Sequence, residues 1–105
     1  WSPHKIQGWT PDFIPKVLDR EIFDELVPVN EDEGRTATYQ LAQKEGIFVG
    51  MSAGSTLAAG LKIAGKAEPG SVILVMLPDT GERYLRAFPY DELPEGSDDE
   101  WLESL

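Results

Sequence analysis

The sequence predicts an α/β fold in which a parallel sheet carries flanking helices in the order βαβαβ. The run at 71–77 is apolar throughout, which is typical of a strand covered on both faces. A shorter apolar run at 47–49 leads through glycines and hydroxyls into an Ala/Leu-rich segment at 51–64, the pattern of a strand, a tight turn and a buried helix. Strands joined by helices in this order form a parallel layer with right-handed crossovers.

The first 29 residues contain few regular elements. Prolines and glycine predict a repeatedly turning loop over residues 1–15, around Trp9 and Phe13. Apolar residues at helical spacing predict a short helical piece that ends near residue 20. Residues 22–29 alternate loosely and predict a strand, and Pro28 places it at an edge or a strand end because proline lacks the N–H for a sheet ladder.

The next helix has a defined start and stop. Asn30 can accept a hydrogen bond from the Glu33 amide while the Glu33 side chain reaches back, and three acids cover the positive end of the helix dipole. We expect this helix to run to about Lys44, with Gly46 as its left-handed stop. Its predicted buried stripe consists of Ala37, Thr38, Leu41 and Ala42.

The segment 50–54 matches the G-x-S-x-G elbow of serine hydrolases. That hypothesis fails because such an enzyme needs a histidine after the serine, and the single histidine, His4, precedes it. Ser52 or Ser55 is therefore predicted to cap the following helix, and contact with a ligand phosphate or carboxylate remains the alternative. The helix itself is apolar on nearly every face, so we expect Lys62 to be its one clearly solvated side chain.

Composition narrows the class of protein. The chain has 105 residues, enough for at most one domain, and a net charge of -10, which argues against nucleic acid or an anionic membrane as partner. It has no cysteine, which excludes disulfides and thiolate metal sites, and no metal site is predicted. A cytoplasmic protein is the default expectation. Because the chain opens on Trp1, we expect a piece of a longer protein.

Five segments, in this order and at this spacing, resemble the C-terminal portion of cysteine synthase (O-acetylserine sulfhydrylase) and its relative cystathionine β-synthase. These are fold-type-II pyridoxal-phosphate enzymes of the tryptophan-synthase-β superfamily. The resemblance covers about residues 3–85. We therefore take 1–85 as the C-terminal portion of the enzyme and 86–105 as an acidic tail. The segments are His-Lys-Ile-Gln-Gly at 4–8, Asp-Phe-Ile-Pro at 12–15, Lys-Glu-Gly-Ile-Phe-Val-Gly at 44–50, Ser-Ala-Gly-Ser at 52–55 and Leu-Pro-Asp-Thr-Gly-Glu-Arg-Tyr-Leu at 77–85.

The resemblance implies a transferase or lyase of cysteine biosynthesis with pyridoxal 5'-phosphate as cofactor. Its reaction would be β-replacement on O-acetylserine, with sulfide as the second substrate and cysteine as the product. Two alternatives stay open: a cystathionine β-synthase, which joins serine to homocysteine, and a non-catalytic α/β binding module that lacks the Schiff-base lysine. The family further implies a homodimer for a complete chain.

The resemblance also implies three cofactor-binding residues. In the family a hydroxyl after the last strand meets the pyridine nitrogen, and this position falls on Thr80 or on Asp79, depending on which flanking motif is aligned. We prefer Thr80 for its neutral hydroxyl and expect Asp79 to fix the loop, with a purely turn-shaping role for both as the alternative. The loop at Gly8 is expected to approach the cofactor ring, although Trp9 and Thr10 follow where the family often has a second glycine.

No catalytic residue is expected in this chain. The Schiff-base lysine, the loop that binds the substrate carboxylate and the phosphate cradle belong to a preceding part of the family fold. The lysines present lie in none of those contexts and are predicted to be surface charges, so the 105 residues alone should be inactive. They are Lys5, Lys16, Lys44, Lys62 and Lys66.

Overall fold

The computed structural model describes residues 1–94 and 96–105. Two packed helices form its centre, α1 (Glu31–Gln40) and α2 (Met51–Ala64), and a third helix, α3 (Asp98–Ser104), lies near the end of the chain. The smaller elements are a π-helical turn at Leu41–Glu45 and 3-10 helices at Gly81–Tyr84 and Tyr90–Glu92. No helix in this described part is long and apolar enough to cross a membrane.

Helix α1 begins as predicted. The Asn30 side chain accepts from the Glu33 amide at 2.8 Å, and the Glu33 carboxylate accepts from the Asn30 amide at 2.9 Å, which completes a capping box. The regular helix ends at Gln40, earlier than predicted, because the backbone continues as the π-helical turn. Gly46 ends that turn with φ of 68°, which confirms the left-handed stop.

Helices α1 and α2 pack through small residues. Thr38 and Ser55 are fully buried, and each hydroxyl donates to a carbonyl one turn earlier, Thr38 to Gly34 and Ser55 to Met51, both at 2.8 Å. A Cβ atom on Gly54 would lie 2.7 Å from the backbone nitrogen of Thr38. The two backbones can therefore approach this closely only because residue 54 has no side chain.

The buried core is small. Leu41, Val49 and Ala53 form it, with Leu57 and Leu77 packed against its edge. Only the first half of α2 is covered, and Leu61 is 57% exposed, so the prediction of a helix buried on every face but Lys62 is wrong. The reason is that α1 covers one side of α2 and the run at 71–77 lies along another, while Leu61 is left exposed.

The predicted parallel sheet is not confirmed. No strand forms within residues 1–94 and 96–105, and the run at 47–50 makes a single antiparallel bridge, Val49 to Thr80. Residues 71–77 lie along α2, where Thr56 donates to the carbonyl of Met76 at 2.5 Å. A strand requires a neighbouring chain for its ladder of hydrogen bonds, and no described segment lies beside 71–77 in this way.

The prediction that 71–77 is covered on both faces is also wrong for this chain. Val75 packs against α2, where a Cβ on Gly60 would lie 2.5 Å from its methyl group. Val72 and Leu74 are 96% and 93% exposed. One face of the run therefore packs on the helix, and the other is an uncovered row of apolar side chains.

The first 29 residues form fewer elements than predicted. The proposed helical piece at 13–20 is a turn closed by a hydrogen bond from the Leu18 amide to the Pro15 carbonyl at 3.1 Å. The proposed strand at 22–29 forms no ladder, and Ile22 and Leu26 are exposed. A single turn of helix is costly to nucleate, and these apolar side chains find no surface to cover in the described part of the chain.

The last twenty residues divide into two parts. Tyr90 is buried against the body of the protein, and its hydroxyl donates to the Val49 carbonyl at 2.6 Å. Helix α3 follows, with Ser97 and Glu100 forming a second capping box. The side chain of Trp101 remains exposed, so this helix is formed by its cap and is not docked.

Candidate cofactor site

The candidate site lies at the amino end of α2, where the segments 47–50 and 78–81 meet. The Gly81 amide donates to the Phe48 carbonyl at 3.0 Å, and Val49 is bridged to Thr80. This pairing brings the residue before α2, Gly50, beside the turn that contains Asp79. The residues that follow the two apolar runs, 47–49 and 71–77, therefore lie close together at the amino end of α2.

Asp79 is fixed within this turn. One carboxylate oxygen accepts a hydrogen bond from the Tyr84 hydroxyl, and the other, Oδ1, is buried without a partner among the described residues. A Cβ on Gly50 would lie 2.4 Å from that Oδ1 and 2.6 Å from the Tyr84 ring. An unsatisfied buried acceptor costs about 1–3 kcal/mol, so a hydrogen-bond donor from a ligand would be favoured here.

The same hydrogen bond influences Tyr84. It raises the pKa of the Tyr84 hydroxyl above 10, and burial raises it further. The Tyr84 hydroxyl therefore keeps its proton to higher pH than an ordinary phenol. The Asp79 side chain is accordingly held in one orientation.

Two hydroxyls at the candidate site, those of Thr80 and Ser52, are open to a ligand. Thr80 is exposed and Ser52 is half-buried, and neither side chain makes a hydrogen bond within the described residues. Gly50 is the N-cap residue of α2, so the prediction that Ser52 or Ser55 caps the helix is wrong. Ser55 lies inside the helix, donates to Met51 and is fully buried, which leaves it inaccessible to a ligand.

The prediction of a serine cap depends on residue type alone. Gly50 takes that position in the structure, which makes Ser52 the second residue of α2.

Gly8 adopts the left-handed conformation that favours glycine, with φ of 78°. No atom lies within 4 Å of where its Cβ would be, so the backbone conformation and not crowding restricts this position. Thr10 has φ of 31°, and its carbonyl accepts from the Trp1 indole at 2.6 Å. The loop thus has a defined shape, and the structure brings it into no direct contact with Asp79 or Thr80 among the described hydrogen bonds.

The lysines lie at the surface. Lys62 bonds to the Glu33 carboxylate at 3.0 Å and to the Pro28 carbonyl at 2.8 Å. Lys5 and Lys66 face Glu92 and Glu25 at 3.6 and 3.9 Å, and Lys16 and Lys44 are exposed. None of the five lines the turn at 78–81 in the described contacts.

The residues at this edge fit the ring-nitrogen end of pyridoxal phosphate. Among the described residues, the Ser52 and Thr80 hydroxyls have no hydrogen-bond partner, and the Asp79 Oδ1 accepts no hydrogen bond. They do not fit its phosphate end, because the Asp79 carboxylate occupies the amino end of α2, where a phosphate would otherwise be attracted.

Comparison with known proteins agrees with this chemistry. Residues 1–79 match the model of the family described as "Pyridoxal-phosphate dependent enzyme". The chain belongs to this family, and its cofactor is pyridoxal phosphate. The resemblance drawn from the sequence motifs is therefore confirmed.

Individual relatives are enzymes of amino-acid synthesis. Over all 105 residues the chain is 56% identical to O-ureido-L-serine synthase from Streptomyces lavendulae, covering 32% of that protein. It is 44% identical over 93 residues, 88% of the chain, to cysteine synthase from Buchnera aphidicola, covering 30% of it. It is 40% identical over 82 residues, 78% of the chain, to a probable cysteine synthase from Bacillus subtilis, covering 26% of it.

Solved structures of such enzymes superpose on this chain. The crystal structure of O-ureido-L-serine synthase superposes with a TM-score of 0.87 at 55% identity, covering 98% of this chain and 33% of that one. Cysteine synthase from Entamoeba histolytica gives 0.77 at 35% identity, covering 97% of this chain and 30% of that one. The chain spans about a third of the length of these relatives, and its structure is similar to that part of them.

Proposed function

We propose that this chain forms part of an enzyme that replaces the β-substituent of an activated L-serine, with pyridoxal phosphate as cofactor. The observation that carries the proposal is the 56% identity to O-ureido-L-serine synthase, which extends through all 105 residues. The polar groups at the amino end of α2 support it, since they fit the ring-nitrogen end of the cofactor.

The second substrate decides the product. O-ureido-L-serine carries an –O–NH–CO–NH₂ group on its β-carbon, so a β-replacement that forms it requires hydroxyurea. The hydroxyurea oxygen forms a bond to the β-carbon and loses its proton, and the displaced group leaves with its electron pair. We propose this nucleophile first, because identity to the ureidoserine enzyme exceeds the 40–44% identity to cysteine synthases.

Cysteine synthesis from O-acetylserine and sulfide is the second candidate, favoured by the cysteine synthases of Buchnera and Bacillus among the relatives. Cystathionine formation from homocysteine and a non-catalytic module remain hypotheses of the sequence alone. We further propose that the complete enzyme is a homodimer, which light scattering would test.

When bound, the cofactor supplies the electron sink for removal of the α-proton. The residues of this chain would orient its ring. A hydroxyl of Ser52 or Thr80 would hydrogen-bond the ring nitrogen, Asp79 would fix the turn through Tyr84, and the Gly8 loop would border the ring and the substrate. A neutral hydroxyl does not hold the nitrogen protonated as a carboxylate would, which favours elimination over transamination.

A chimera tests the proposal. These 105 residues would replace the segment of the Streptomyces enzyme to which they align, and the same exchange in the Bacillus protein is the matched control. O-acetylserine would be supplied with hydroxyurea or with sulfide, and products would be identified by mass spectrometry. We expect both chimeras to bind pyridoxal phosphate and the first to form O-ureido-L-serine. A folded chimera that binds no cofactor would contradict the proposal.

The 105 residues alone should be inactive. Their lysines lie at the surface and the phosphate does not fit the amino end of α2, so mixing with pyridoxal phosphate should give only weak, nonspecific reaction without a sharp visible band. A stoichiometric, borohydride-trappable adduct at one lysine, together with turnover, would show that the chain is a minimal enzyme.

The chimera also separates the candidate ring contacts. Ser52→Ala and Thr80→Ala each remove one hydroxyl, and Asp79→Asn keeps the shape of that side chain while removing its charge. The variant that removes the true contact should shift the visible absorption of the bound cofactor and slow turnover, and the other two should leave the spectrum unchanged. Unaltered spectra in all three would assign the contact elsewhere.

A further inference from the structure

Tyr90 is the most buried tyrosine of the chain and lies in the predicted acidic tail, residues 86–105. Its side chain is 8% exposed, and its hydroxyl donates to the Val49 carbonyl at 2.6 Å. Its ring lies 4.8 Å from that of Phe48 and 6.1 Å from that of Tyr39, measured between centroids. Tyr90 therefore contacts two consecutive residues, 48 and 49, by two kinds of interaction.

Phe48 and Val49 belong to the junction of the candidate site, by which we mean the contact between the segments 47–50 and 78–81. The Phe48 carbonyl accepts from the Gly81 amide, and Val49 is bridged to Thr80. The Phe48 ring also covers Gly81, where a Cβ would lie 2.7 Å from ring atoms. The backbone of residues 48 and 49 thus contacts Tyr90 on one side and the turn at 78–81 on the other.

We propose that Tyr90 is a positioning residue of the cofactor site, acting through the backbone of residues 48–50. The Val49 carbonyl and the Gly50 amide belong to one planar peptide unit, so rotation of that carbonyl turns the N-cap of α2 with it. The hydrogen bond from the Tyr90 hydroxyl to the Val49 carbonyl restricts this rotation. The inference rests on the proposed function, because it gives Tyr90 a role toward the cofactor.

The chain offers a matched control in Tyr39. Its hydroxyl donates to the Pro89 carbonyl at 2.5 Å, and its ring belongs to the same aromatic cluster. It holds the tail to α1 and makes none of the described hydrogen bonds to residues 48–50 or 78–81. Loss of either hydroxyl removes one phenol-to-carbonyl hydrogen bond, but only Tyr90 lies next to the site.

The test compares Tyr90→Phe with Tyr39→Phe in the Streptomyces chimera. In the cofactor-free protein we expect Tyr90→Phe to raise hydrogen exchange at the Gly81 amide by about tenfold, the effect of one lost hydrogen bond at the upper end of its usual range. In the loaded protein it should weaken cofactor affinity by about 3–10-fold and shift the absorption of the cofactor. Tyr39→Phe should lower the melting temperature by about as much as Tyr90→Phe does. It should leave hydrogen exchange at Gly81, cofactor affinity and cofactor absorption unchanged.

Equal effects of both variants on every readout, or no change at Gly81 in Tyr90→Phe, would overturn the proposal. If the chimera binds no cofactor, the proposed function fails, and the exchange at Gly81 still tests the action of Tyr90 on the junction.

Should Tyr90→Phe not fold, 3-fluorotyrosine at position 90 or 39 replaces it, because fluorine lowers the pKa of the phenol. With 3-fluorotyrosine at position 90, the pH above which cofactor affinity is lost should then be lower, and with 3-fluorotyrosine at position 39 it should not change. An unchanged pH at position 90 would refute the positioning role of Tyr90.

Discussion

Replacing Gly54 by alanine tests the packing of α1 against α2 most severely. The new Cβ would lie 2.7 Å from the Thr38 nitrogen, 2.8 Å from the Gly34 carbonyl oxygen and 1.8 Å from the Thr38 hydroxyl. The hydroxyl can turn away, but two of these atoms are backbone. Ordinary contact begins at 3.4 Å, so the helices must separate by about 0.7 Å at this point (3.4 - 2.7 = 0.7).

The cost follows from that separation. Overpacking of this kind costs about 1–3 kcal/mol, and alanine recovers about 0.5–1 kcal/mol through its better helix propensity. We therefore expect a net loss of about 1–2 kcal/mol in the free energy of unfolding. That loss is a large fraction of the stability of a small chain.

Urea unfolding followed by circular dichroism would measure the change. Gly65→Ala is the matched control, because φ at Gly65 is -62° and its Cβ would meet only ordinary contacts at 3.6 Å or more. The control should change stability by less than about 1 kcal/mol, in either direction. Equal stability of the two variants would refute the close approach of the helices at Gly54.

Three further predictions concern pH and surface. The pKa of Tyr84 is raised, first by its hydrogen bond with Asp79. The contribution of Tyr84 to the free energy of unfolding is therefore complete below pH 10 and is lost as pH rises through the raised pKa. Urea titrations should show that Tyr84→Phe loses less stability at alkaline pH than the unchanged chain. The pKa of Glu33 is lowered below 4.5, chiefly by the Asn30 amide, so its contribution is present above that value and is lost as pH falls; Glu33→Gln should flatten this acid dependence of the melting temperature. Val72→Thr should change the stability of the 105 residues by less than about 0.5 kcal/mol, since Val72 is 96% exposed, and a larger loss in the chimera would indicate that the rest of the enzyme covers this side chain.

Local patterns predicted that α1 and α2 exist and where α2 ends, but not the cap of α2 or the last turn of α1. The capping box at Asn30, the stop at Gly46 and the helix that ends before Gly65 depend on residues adjacent in sequence, and all are present. The sheet could not be confirmed because a strand depends on partners elsewhere. The apolar run at 71–77 has the composition of a doubly covered strand, but the chain spans about a third of its relatives, and one face of the run is uncovered.

The site was only partly predictable. The motifs led to the turn with Asp79 and Thr80, and the structure brings this turn to the amino end of α2. They gave no indication of Tyr90, because an acidic stretch with one tyrosine is typical of a solvated tail, and its contact with Val49 joins residues 41 positions apart. The bond between Tyr84 and Asp79 likewise depends on the 3-10 turn that separates them.

A crystal structure of the cofactor-loaded chimera would show whether this chain holds the ring nitrogen of pyridoxal phosphate. The measured quantity is the distance from the ring nitrogen of pyridoxal phosphate to the side chains at the amino end of α2. We expect the hydroxyl of Ser52 or Thr80 to lie within about 3.2 Å of that nitrogen, the limit of a good hydrogen bond. A ring nitrogen that lies beyond hydrogen-bond reach of residues 49–52 and 78–81 would contradict it.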